Sequence, residues 1–172
     1  MIFLGPLRTA VREASWFAAL GEPLTEGDLA DARAYAGVLD VGYAKSWPEA
    51  EAFLKSPDAS LDLWNRDEAL RKVLLDEAGK RYPERALWTS LSELTTETGD
   101  LVHGKAATAA QRMGGAAPAS VHVAAGAAAQ AVYQLAVARL AGDDASLFES
   151  KFRLFAAGRW PLGVVGIRLV VF

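Results

Sequence analysis

The sequence predicts a mainly α protein: a single-domain multi-helix bundle over residues 1–172, with a small β element formed by the C-terminal strand and the N-terminal strand. Three observations predict this. Apolar residues recur at three- and four-residue spacing along most of the chain, the period of an amphipathic helix. Glycines and prolines fall between these periodic stretches, where short connections need them. After Gly158 the pattern changes to "RWPLGVVGIRLVVF", rich in β-formers, so 159–172 is expected as an extended tail ending in a strand.

The elements follow in order. Leu7, Val11, Ala14 and Ala18 share a helical face, Pro6 suits a first helical turn, and the first helix is expected over 6–20. Thr25 is placed to cap a second helix, with Asp28 as the acid of a capping box and Leu29, Ala32, Ala36 and Leu39 as its apolar stripe. Ser46 caps a short helix through Pro48 and Glu49. A further helix runs through 60–79, with a break expected near Asn65, Leu70, Val73 and Leu74 facing inward, and Asp67 pairing with Arg71 four residues on. Two long helices follow, about 84–113 and from Pro118 to Ala141. A last helix begins at Asp144 or Ser146 and aligns Phe148, Phe152 and Phe155 on one face.

The tail raises a question of hydrogen bonding. A strand cannot satisfy its own backbone, and each buried unpaired amide costs roughly 1–3 kcal/mol. Its partner is expected within the chain, from "MIFL" or from "VLDVGY", with the N-terminal segment favoured. Pairing of identical strands across a homodimer axis is the alternative.

Composition bounds the function. With 52% hydrophobic and 23% charged residues the chain can bury a substantial core. The net charge of −3 offers no basic field for nucleic acid. Without cysteine there is no disulfide, thiolate nucleophile or cysteine metal site, and a cytoplasmic location is the simplest expectation. Residues 113–138 carry no Asp, Glu, Lys or Arg, yet they are built from alanine rather than from the Leu and Ile that drive insertion, so a buried central helix is expected and no membrane partner.

Candidate sites are few. Arg159 and Trp160 sit between the last helix and the tail, and both residue types are enriched at binding hot spots; Trp88 joins them as a candidate partner-binding residue. The bland alternative is that Trp160 fills the core and Arg159 pairs with a carboxylate. Glu93, Glu97, Asp100 and His103 follow one another on one helical arc, a spacing that offers a place for a divalent metal, with His122 available from the next helix; a solvated acidic face is the competing account. No phosphate loop, dinucleotide fingerprint or nucleophile elbow is present. The expectation is therefore a non-catalytic protein-interaction or regulatory module with no catalytic residues and no required cofactor, working with a protein partner or by self-association. A metal- or small-ligand-binding bundle is the alternative.

Overall fold

The structure, a computed structural model, describes residue 2 and residues 4–172. In chain order these form α1 (Gly5–Glu13), α2 (Glu26–Ala36), β1 (Asp40–Tyr43), α3 (Trp47–Leu54), β2 (Ala59–Ser60), α4 (Asp62–Arg81), α5 (Glu84–Arg112), α6 (Pro118–Ala141), α7 (Leu147–Ala156), β3 (Pro161–Val165) and β4 (Arg168–Val171). The predicted class is what is observed: mainly helical, with one small mixed sheet in the order β1-β4-β3-β2.

At the centre lies α6. Ala124, Ala128, Ala131, Val132, Ala136 and Val137 along it are wholly buried or nearly so. Its alanines let α5, α4 and α7 approach closely around it. Among the described residues it is the one helix long and apolar enough to cross a membrane, and 61% of that stretch is buried inside the protein. The phenylalanine face of α7 is equally interior: Phe148, Phe152 and Phe155 are all buried, with Trp16 edge-on to Phe152 at 5.9 Å.

The capping box on α2 forms as expected. Asp28 N donates to Thr25 Oγ1 at 3.1 Å, and Thr25 N donates to the Asp28 carboxylate at 2.9 Å. The apolar stripe differs. Leu39 is exposed, and the inward face of α2 is Asp28, Ala32 and Tyr35. In α1 the helix stops at Glu13 rather than at Leu20. Tertiary bonds compete for the backbone there: Ser15 N donates to Ala156 O at 2.9 Å and Ala19 N to Gly158 O at 3.2 Å. Phe17 takes a left-handed φ of 59° in this turn. That conformation costs a bulky residue roughly 1–3 kcal/mol. Complete burial edge-on to Phe155, and a hydrogen bond from Arg112 to its carbonyl at 3.0 Å, hold it there. The helix α4 runs unbroken through Asn65, and Val73 faces solvent.

The tail is a hairpin, not a lone strand. Gly166, with φ 59°, and Ile167 form a two-residue loop between Val165 and Arg168. Glycine at the first central position is what one of the two favoured tight hairpin turns requires. Ile167 stands exposed in this loop. The partners of β4 are β3, antiparallel, and β1, parallel, with Val41 opposite Leu169. The middle segment "VLDVGY" therefore supplies the long-range pairing. The N-terminal strand expectation falls in part on Met1 and Phe3, which lie outside the described residues; Ile2 and Leu4 belong to no strand. With β1 and β3 on its two sides, β4 has no free edge for pairing across a dimer axis.

The junction of α7 with the hairpin is built around Arg159. Gly158, at φ 89°, ends α7 in a Schellman arrangement: Gly158 N donates to Phe155 O at 3.0 Å and Arg159 N to Leu154 O at 2.9 Å. A Cβ on Gly158 would lie 2.7 Å from Ala19 N, so the glycine is also a matter of space. The turn sends the Arg159 side chain back beneath the α1–α2 connection. Its guanidinium donates to the carbonyls of Ala19, Glu22 and Pro23 at 2.6, 2.6 and 2.8 Å, and meets Asp28 Oδ2 through Nε and Nη2 at 3.1 and 3.0 Å. Four of the five N–H groups of the fork donate in hydrogen bonds, and the ion pair with Asp28 completes the set of contacts. Trp160 then exchanges backbone hydrogen bonds with Phe172 at 2.6 and 2.7 Å and packs with it against Trp47.

Arg159→Met is expected to destabilise the fold by about 3–5 kcal/mol, because Asp28 and three carbonyls lose their partner in the interior. The check is a urea unfolding midpoint lowered at unchanged slope.

Candidate functional site

The chemistry of the molecule gathers around a buried lysine. Lys151 lies on α7 in an otherwise apolar row with Leu147 and Leu154, and its ammonium reaches inward. Nζ donates to Asp67 Oδ2 and to Gln134 Oε1, both at 2.8 Å. Tyr35 donates its hydroxyl to the same Asp67 oxygen at 2.6 Å, and Arg66 donates to Asp67 Oδ1 at 2.9 Å. Arg66 and Lys151 also approach the Tyr35 ring, at 5.1 and 5.3 Å from its centroid. The four side chains come from α2, α4 and α7, and Gln134 from α6. Next to them Glu68 is held by Arg71 at 2.9 Å and by Gln130 at 3.2 Å.

Burial sets the electrostatics. Removal from water pulls the Lys151 ammonium below the ordinary lysine range; Asp67 opposes the shift and Arg66 adds to it. Burial also raises the Tyr35 phenol well above its ordinary value, and the neighbouring Asp67 carboxylate pushes the same way. The expected Asp67–Arg71 pair does not form. Asp67 turns into the core to Lys151, and Arg71 pairs with Glu68 instead.

This cluster floors a cavity of about 260 Å³ between α3, α4, α6, α7 and the hairpin. Tyr35, Asp67, Lys151, Gln130 and Ser60 are its polar lining, with Arg66 and Gln134 behind them outside the lining. Trp160, Phe155, Phe53 and Leu162 form apolar walls. Four large hydrophobic residues exposed to solvent, Leu54, Leu61, Trp64 and Val123, surround the opening. A larger hollow of about 610 Å³ lies beside Trp88, but every residue lining it belongs to α5. It is a surface groove with no buried charge, and the smaller cavity carries the chemistry.

Of the residues singled out from sequence as sites, Trp160 lines this cavity and the others fall elsewhere. Arg159 and Trp160 are both interior, at 2% exposure: the guanidinium is held by protein partners away from the cavity, and Trp160 forms part of the cavity wall. Trp88 is half-exposed on α5. Glu97 and Glu93 receive Arg8 of α1 at 2.7 and 3.4 Å, so the acidic arc is partly neutralised by an ion pair. His103 does not join those carboxylates but lies against His122 of α6, with ring centroids 4.9 Å apart. Among the described residues no group of three or more His, Asp or Glu side chains is arranged to hold a metal ion. Helix geometry gives the reason. Ten residues separate Glu93 from His103, about 15 Å along the axis, whereas ligands lie within about 2–2.6 Å of one ion.

The cavity residues were overlooked in the sequence because nothing local marks them. The available signals are a lysine in the apolar row of α7, and two glutamines, Gln130 and Gln134, in a helix otherwise free of polar groups over most of its length. Comparison with protein-family models, with curated proteins and with solved structures finds no match to this chain.

Two outcomes are expected of the floor. Lys151→Met destabilises by about 3–5 kcal/mol by leaving Asp67 short of a partner in the interior; adding Asp67→Leu costs far less than the sum of the two single changes, as a double-mutant cycle in urea shows. The second concerns alkali. A lysine depressed in the fold adds stability as pH rises to its unfolded value near 10.4. A tyrosine raised in the fold keeps its proton while the unfolded chain loses one, so its contribution falls above about pH 10. Of these two effects only that of the tyrosine continues above about pH 10.5, and Tyr35→Phe reduces the loss of stability there in melts recorded against pH.

Proposed function

We propose that this chain is a non-catalytic binding module that takes a small molecule with an apolar body in the cavity above Lys151. The observation that carries this reading is the coincidence of two features at one opening. Leu54, Leu61, Trp64 and Val123 are exposed around it, and a buried ion cluster lies beneath it. An aliphatic or aromatic side chain left in water forgoes about 1.5–3 kcal/mol of burial, so a ring of them around one concavity favours a ligand that covers them. Apolar walls with a few convergent polar groups are the usual make-up of a small-molecule site.

A binding role is favoured over acid–base chemistry by the state of Asp67. Its two oxygens already accept from Tyr35, Lys151 and Arg66. A protein partner, the other reading the sequence supports, has one observation behind it: Trp88 is half-exposed beside a groove on α5. That groove encloses nothing and carries no buried polar group, so the cavity is the stronger site.

Titration with indole, a neutral probe, followed by amide and indole N–H resonances, tests the reading. Saturable shifts are expected at the Trp64 and Trp160 indoles and along α7, weakened in Trp64→Ala and unchanged in Trp88→Ala. Shifts scattered over the surface, or centred on Trp88, would reject it.

A further inference from the structure

The floor of the cavity is unbalanced in both charge and hydrogen bonding. Two cations, Arg66 and Lys151, share one carboxylate, Asp67, at 2.9 and 2.8 Å. Glu68 does not redress this, because Arg71 holds it in its own pair. The Arg66–Asp67–Lys151 cluster therefore carries one net positive charge, with Lys151 on its cavity side and Arg66 one-third exposed at the neighbouring groove. The donor count points the same way. An ammonium has three N–H donors, and Lys151 Nζ has two acceptors among the described residues, Asp67 and Gln134. Behind it the Gln134 amide nitrogen, in a side chain with no exposure, has no hydrogen-bond partner among the described residues. The acceptors of the cluster are engaged while donors remain over, so the floor is complementary to an acceptor that carries negative charge.

We infer that the cavity selects a carboxylic acid: a small monocarboxylate whose head group meets Lys151 and the surplus charge of the Arg66–Asp67–Lys151 cluster, and whose apolar body lies between Trp64, Phe53 and Leu162. This deepens the binding role proposed above and rests on it. At interior packing density the cavity takes about 190 Å³ of ligand atoms, enough for one aromatic ring on a short acid chain. The apolar vault makes the head-group contact count, because a charge-assisted hydrogen bond is stronger away from water. A cation is disfavoured by the same surplus charge. A neutral amide brings an acceptor oxygen without the charge, and so gains only part of the interaction.

The test compares 3-phenylpropionate with 3-phenylpropanamide, matched in shape and differing in charge, by isothermal titration calorimetry on the full chain at neutral pH. The acid is expected to bind about tenfold or more tightly than the amide. Lys151→Gln replaces the ammonium by a shorter, neutral amide and is expected to abolish that preference. Should it fail to fold, Arg66→Gln serves in its place, because Arg66 is one-third exposed and its loss removes the surplus charge while leaving the Lys151–Asp67 pair intact. The preference is then expected to shrink, with amide affinity unchanged. Equal affinity for acid and amide would overturn the carboxylate inference and leave the cavity as a site for apolar molecules. Binding of neither probe, or binding untouched by Trp64→Ala, would overturn both.

Discussion

The fold depends on one buried guanidinium. Arg159 meets the Asp28 carboxylate of α2 and three carbonyls of the α1–α2 connection, all more than a hundred residues earlier, and four of its five N–H groups donate in hydrogen bonds. An arginine so placed is expensive to remove from water and worth keeping only where its fork is matched. Three features make the match. Gly158 allows the turn that aims the side chain, the α1–α2 connection leaves its carbonyls unpaired by helix, and Asp28 serves at once as capping acid and counterion. Because the same junction starts the hairpin, the position of β3 and β4 follows from it. The Trp47–Trp160–Phe172 cluster then seals the join, with each aromatic pair adding about 0.5–1.5 kcal/mol beyond the area it buries.

The second organising element is a helix with little to say for itself chemically. Most of α6 is alanine, and its role is to be thin. Thinness lets α4 and α7 come close enough on one side for Asp67, Lys151 and Gln134 to share hydrogen bonds across three helices. The polar cluster is thus a product of the packing as much as of its own residues, and the cavity above it is the space left where the hairpin and α3 turn away.

Much of the architecture was legible in the sequence wherever the causes are local. The capping box at Thr25 and Asp28, the Ser46 and Ser146 caps, the limits of α5 and α6 and the phenylalanine face of α7 all follow from neighbours within one helical turn. The illegible parts have distant causes. The early end of α1 is imposed by Ala156 and Gly158, and the partner of Asp67 stands 84 residues away, so the four-residue rule pointed to Arg71 instead. The hairpin was marked by Gly166, but a run of β-formers on both sides hid the turn. The binding candidates Arg159 and Trp160 are chemically apt residues placed inside, and residue type alone does not carry burial. The cavity was invisible for the converse reason: its lysine, aspartate and tyrosine are ordinary residues until the fold collects them.

The parallel pairing of β1 with β4 has a consequence for how the chain is made. Asp40 sits opposite Arg168, and β4 follows every other element in order. Pairing of so large a sequence separation is slow to form, since the intervening loop must close first. On the ribosome, α1 to α6 emerge well before their sheet can assemble, and β1 waits with its edge uncovered until β4 has emerged. Until then the main core also lacks Trp160 and Phe172, which pack in it from the hairpin.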